Sequence, residues 1–120
     1  MKVALTTSGT EMSAPLDPRF GRAAYFIIYD LEDGSFQAVA NQKSLNALQG
    51  AGVQAASTVA RLGAGSLITG HCGPKAFRVL EAAGVRIYLT DARTPAEALA
   101  RLRSGELQPA GGADVEGHWS

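Results

Sequence analysis

Apolar residues along this chain follow two spacings, one of strands and one of helices. Lys2 to Thr7 reads as a first strand, Tyr25-Phe-Ile-Ile-Tyr29 as a β-rich run, and Ser35-Phe-Gln-Ala-Val39 alternates. Between the last two, Glu32-Asp-Gly34 supplies the Asp-Gly turn of a hairpin. Gly52 to Leu62 has helical spacing with Val53, Ala56 and Ala60 on one face, and Gly63 is its stop. Ser66-Leu-Ile-Thr69 is a short buried strand. A helix follows over Lys75 to Ala83, with Ala76, Leu80 and Ala83 on one face, Pro74 at its first position and Gly84 after it. Arg86-Ile-Tyr-Leu89 is the last strand. Thr94-Pro-Ala-Glu97 has the form of a capping box and opens a helix through Arg103, with Gly105 as its C-terminal cap.

The order β, ββ hairpin, α, β, α, β, α predicts one α/β domain with a mixed five-stranded sheet and about three helices. The βαβ crossovers demand parallel strands, and ligands of such sheets sit beyond the carboxyl ends of those strands. Two polar loops leave such ends, Ser8 to Arg22 after the first strand and Gly70 to Gly73 after the Ser66–Thr69 strand. They are expected to meet at one mouth. Asn41 to Gly50 is a further polar loop, and the reading divides the chain into a domain over 1–107 and a flexible tail over 108–120.

Composition narrows the function classes. With 46% hydrophobic and 18% charged residues, the 120-residue chain has the profile of one globular domain. No apolar run reaches the roughly 20 residues of a membrane span, and the start is too short in apolar length for a signal peptide. The only cysteine, Cys72, excludes an internal disulfide, which fits a cytoplasmic setting; one Cys and two His do not make a structural zinc site. Net charge is zero, but Glu106, Asp114 and Glu116 give the last 16 residues −3, leaving +3 (11 basic against 8 acidic) for residues 1–104. That is too little for a nucleic-acid footprint and better matched to a small anion or anionic cofactor. Nothing demands more than a monomer.

The turn Gly70-His-Cys-Gly-Pro-Lys75 places a cysteine, a histidine and a lysine where strand gives way to helix. Backbone N–H groups at such a turn point outward and the helix dipole favours an anion. Cys72 reads either as a soft ligand with a dipole-lowered pKa or as a small buried residue, and His71 as a metal ligand, a sulfide partner or an ordinary loop histidine. Lys75 stands where the dipole disfavours a cation, which hints at use. Arg19 and Arg22 are anion anchors or partners of Asp17 and Asp30; Asp17 is expected to pair with Arg19 or with backbone N–H groups. Gly50 and Gly52 permit close backbone approach or a turn. Met12, His118 and Trp119 carry weaker signals.

Four segments in order, RFGRAAYFIIYDLEDG, GAGVQAA, GHCGPKAFRVLEAAGVRIY and TPAEALARLRSGEL, resemble the dinitrogenase iron–molybdenum cofactor-binding family. APLDPRFGRAA and GPKAF resemble its orange-protein subgroup in particular. The resemblance implies an α/β fold of ribonuclease-H-like topology and a carrier or accessory role rather than catalysis. It implies a cargo that is an anionic molybdenum–copper sulfide cluster held without covalent ligands, or alternatively an iron–molybdenum cofactor or its precursor. Partner ATPases or cofactor-assembly proteins are implied as well. The implied binding residues are Ser8, Arg19, Phe20, Gly21, Arg22, Gly50, Gly52, Gly70, His71, Cys72, Gly73 and Lys75, with Arg19, Arg22 and Lys75 as electrostatic anchors.

Three rival functions differ in what they require. A nuclease of this topology needs converging carboxylates, yet the first strand has none and Asp17, Asp30 and Asp91 are dispersed. A nucleotide binder would use helix N-termini, but the glycine spacing fits neither a P-loop nor a dinucleotide fingerprint. A pure interaction module would act without any cluster.

Overall fold

The computed structural model describes residues 1–41 and 50–111. Five strands, β1 (Lys2–Thr7), β2 (Tyr25–Asp30), β3 (Phe36–Ala40), β4 (Ser66–Thr69) and β5 (Arg86–Leu89), form one sheet in the order β3-β2-β1-β4-β5. The first three pair antiparallel, with Leu5 opposite Ile27 and Ile27 opposite Ala38. β1, β4 and β5 are parallel, with Ala4, Leu67 and Ile87 in register. The expected mixed sheet is therefore present, in an order compatible with the expected ribonuclease-H-like topology.

Helices α1 (Ala51–Arg61), α2 (Pro74–Ala82) and α3 (Pro95–Arg103) cover the sheet. Strand side chains alternate between faces, and the core divides accordingly. Ala4, Phe26, Ile28, Leu67 and Ile87 face α1 and α2 through Ala55, Val59, Phe77 and Leu80. Val3, Leu5, Ile27, Ile68 and Tyr88 face α3 through Ala98 and Leu99. Each fully buried leucine or isoleucine contributes about 2 kcal/mol of transfer free energy, so the central strands hold the fold.

The helix faces differ in detail from the expected ones. In α1 the buried residues are Ala51, Ala55, Ala56 and Val59, not a stripe through Val53 and Ala60, and in α2 Phe77 takes the place expected for exposed Ala83. Alanines on all sides of α1 leave the periodicity without a contrast to mark its inner face. Gly63, Gly84 and Gly105 each end a helix at φ near +80°, as their positions predict. Gly34 turns the hairpin at φ +75°, where the N–H of Gly34 donates to Asp30 O at 2.9 Å.

Beyond α3 the chain returns along β5. Pro109 pairs with Tyr88, and the Ala110 N–H donates to Ile87 O at 2.7 Å. Residues 112–120, which include His118 and Trp119 and most of the expected tail, lie outside the described residues, as do 42–49 of the Asn41–Gly50 loop. Among the described residues, no helix is long and apolar enough to cross a membrane.

Candidate functional site

The carboxyl ends of β1, β4 and β5 lie at one edge of the sheet, and the loop leaving β1 is laid across them. Its first half closes on itself, with the Ser8 N–H donating to Pro15 O at 3.0 Å and Ser8 Oγ at 3.3 Å from the same oxygen. Its second half is stitched to β1 and to the loop after β5: the Asp17 N–H donates to Thr6 O, and the Leu16 N–H to Arg93 O. The buried Thr6 hydroxyl donates to Asp17 O at 2.6 Å and lies 2.9 Å from Thr69 Oγ1. The His71 N–H then donates to Pro18 O at 2.7 Å, and Arg19 and His71 are register partners in a short parallel bridge. A Cβ on Gly70 would fall 2.6 Å from Pro18 Cβ and 2.7 Å from its Cα, so only glycine lets the two loops cross here. The expected meeting of the Ser8–Arg22 and Gly70–Gly73 loops is thus present.

This crossing divides the sheet edge into two sides. Phe20 and Cys72 turn into the core beneath α1 and α2, both nearly fully buried. The Phe20 ring lies 5.9 Å from that of Phe26, and Cys72 Sγ is 3.7 Å from Gly73 O. Phe20, expected at the ligand, packs the core, and for Cys72 the burial matches the second of its two readings, a small buried residue. Its neighbour His71 lines the cavity on the opposite side, as alternation in extended chain requires.

On the α1/α2 side, a 3-10 turn (Phe20–Arg22) brings Gly21 against the start of α1. A Cβ on Gly21 would stand 2.8 Å from Gly52 N, and one on Gly52 would stand 3.2 Å from Ala76 Cβ in the first turn of α2. The two glycines therefore allow the N-termini of both helices to sit side by side. Each helix has a glycine N-cap, Gly50 at φ +73° and Gly73 in extended backbone, with no side-chain cap and no acid in the first turn. The first N–H groups of such helices have no intrahelical acceptor. Arg22 and Lys75 are exposed beside them and, among the described residues, pair with no carboxylate. Asn41, at the start of the expected Asn41–Gly50 loop, is buried and donates to Ala23 O at 2.8 Å, fixing the exit of the turn.

The α3 side is built differently. A cavity of about 660 Å³ opens there, lined by Leu16 and Pro18, by Gly70 and His71, by Leu89 through Arg93, and by Arg101 and Leu107. The N-terminus of α3 is closed by its own side chains. Thr94 Oγ1 accepts from the Glu97 N–H at 3.1 Å, and Glu97 Oε2 accepts from the Arg93 N–H at 2.8 Å, one residue further back than in the usual capping box. Arg101 is held by Asp91, by Glu97 at 2.9 Å and by the Thr90 hydroxyl at 3.4 Å. The hydrogen bond from Arg101 and then its charge hold the Asp91 carboxyl below its ordinary value, and Asp91 in turn raises Arg101. Asp17 pairs as expected: its Oδ1 accepts from the Arg19 N–H at 2.9 Å and lies 3.5 Å from Arg19 Nε.

The sequence-predicted residues therefore separate. Gly21, Arg22, Gly50, Gly52, Gly73 and Lys75 gather on the α1/α2 side, Gly70 and His71 line the cavity, Arg19 is matched by Asp17, and Ser8 closes its own loop. Arg93 and Arg101 were missed, although β5 is the third parallel strand and its exit loop, running into the Thr94 cap, marks the place. Among the described residues, no group of three or more His, Cys, Asp or Glu side chains is placed to hold a metal ion.

The apo form of the orange protein of Desulfovibrio gigas has the same fold (TM-score 0.92), with 37% sequence identity over 95% of this chain and 96% of that one. A candidate NifB protein from Thermotoga, placed in the DUF35 family, is 34% identical over 90% of this chain and 91% of its own, with a TM-score of 0.79. An uncharacterized protein of Methanocaldococcus jannaschii is 28% identical over 110 residues, 90% of each chain. The family match itself covers residues 1–105, taking in the sheet, the three described helices and both crossing loops, and on that extent the chain belongs to the dinitrogenase iron-molybdenum cofactor family.

Proposed function

We propose that this protein is a carrier that takes up an anionic, molybdenum-containing metal–sulfur cluster without covalent ligation, most simply a molybdenum–copper sulfide. The seat is the α1/α2 side of the crossing. One observation carries the reading: two helix N-termini lie in contact, both without a side-chain cap or a first-turn acid, with Arg22 and Lys75 exposed beside them. Outward N–H groups, two dipoles and two cations suit a bulky polyanion. Sulfide is a weak acceptor, so summed charge and shape outweigh any single hydrogen bond. Arg22 brings a planar, weakly hydrated fork of donors that matches diffuse charge. The family match and the likeness to the orange protein support the class of cargo. Burial of Cys72 supports non-covalent holding.

The test is titration of the metal-free protein with tetrathiomolybdate and copper, then desalting, visible absorption and metal analysis. A stable coloured complex with a fixed molybdenum-to-copper ratio is the expected result, and loss of all metal on desalting contradicts it. The family description favours one alternative cargo, an iron–molybdenum cofactor or its precursor. Retention of that species but not of thiomolybdate with copper would select it.

A further inference from the structure

The α3-side cavity has no part in the reading above, and its charge balance sets it apart. Arg101 is matched by Asp91 and Glu97, and Arg19 by Asp17. Arg93 alone among the cations lining the cavity has, among the described residues, no carboxylate on its guanidinium; Glu97 takes only its backbone N–H. Much of the remaining lining is apolar, through Leu16, Leu89 and Leu107. A bulky polyanion entering here would meet the Asp91 carboxylate together with Arg93, so the cluster does not suit this side. Asp91 and Glu97 are both engaged on Arg101, so the Arg93 guanidinium, with no carboxylate in contact among the described residues and an apolar wall beside it, suits a single negative charge on an apolar body. The volume of about 660 Å³ is of small-molecule size.

We propose that this cavity is a second ligand site, for a small organic carboxylate whose head group meets Arg93 and whose apolar body lies along Leu16, Leu89 and Leu107. The site is separate from the cluster seat and lies across the Pro18–Gly70 crossing from it.

The full chain, isotope-labelled and metal-free, is titrated with acetate, butyrate and hexanoate while backbone amides are followed by NMR. Shifts are expected at Gly70, His71 and Thr90 to Arg93, with affinity rising roughly threefold or more per added CH₂. Arg93→Gln should weaken hexanoate about tenfold, the worth of a charge-assisted hydrogen bond, while Arg22→Gln leaves it unchanged. Arg93→Lys, which keeps the charge, should restore part of the affinity. The proposal is overturned by shifts centred on Lys75 and Ala76, by affinity independent of chain length, or by Arg93→Gln binding hexanoate as the wild type does. None of these readouts depends on cluster uptake, so the carrier reading stands or falls separately.

Discussion

The two sides of the sheet edge share one framework and treat charge in opposite ways. On the α3 side the helix N-terminus is closed by Thr94 and Glu97, and Arg101 is held between two carboxylates. On the α1/α2 side two helix N-termini stand open, and Arg22 and Lys75 have no acid beside them among the described residues. A glycine N-cap, as at Gly50 and Gly73, forgoes about 0.3 kcal/mol relative to a Ser, Thr or Asp cap and leaves the first N–H groups open to a ligand. This chain forgoes it twice at one place and not at α3. The contrast locates an anion seat more sharply than a count of basic residues does, because Arg19, Arg93 and Arg101 are as basic as Arg22.

The largest effect is expected where the two sides are joined. Gly70→Ala would drive a Cβ into the Pro18 backbone, and should destabilise the protein by roughly 2–3 kcal/mol in urea unfolding. Cluster uptake should fall with it. Next comes the double change Arg22→Ala with Lys75→Ala. Uptake should drop about tenfold or more, with stability within about 0.5 kcal/mol of the parent, as surface changes usually are. Arg19→Ala should cost less uptake than Arg22→Ala, since Asp17 already offsets its charge.

A smaller pair of changes exchanges the character of the two sides. Gly73→Asp supplies α2 with a cap and an acid, and should hold or raise stability by about 0.5–1 kcal/mol while reducing uptake. Thr94→Ala removes the α3 cap and should cost about 1 kcal/mol with uptake unchanged. Thermal unfolding and metal analysis of the two variants read both quantities.

The smallest effect concerns acid. The Asp91 carboxyl lies below its ordinary value of 3.8 because Arg101 bonds it. A lowered folded value means that the pair stabilises above that pH and that its contribution is lost as pH falls through and below it. Asp91→Asn should therefore slightly flatten the acid limb of Tm against pH. The pair is exposed, so the change is small.

Much of this was legible in the sequence, for identifiable reasons. β1, β5 and α3 begin and end within a residue of where apolar spacing, the Thr94 cap and Gly105 place them. The meeting of the two loops followed from parallel β1 and β4 alone. Tertiary packing was not legible. Gly21 and Gly52 read as glycines for close approach or for a turn, and no local pattern shows that they also pack against each other and Ala76. Phe20 and Cys72 lie within the motifs but alternate inward, a distinction set by the phase of the Pro18–His71 pairing. The matching of Arg101 by Asp91 joins residues ten apart across a turn, which no local pattern encodes.

The most direct test of the central claim is to load the protein with the molybdenum–copper sulfide cluster and map its amide shifts against the metal-free form by NMR. Changes centred on Gly21, Arg22, Gly52 and Gly73 to Ala76 are the predicted result. Changes centred on Thr90 to Arg93 and Arg101, with the α1 and α2 N-termini unmoved, would contradict it.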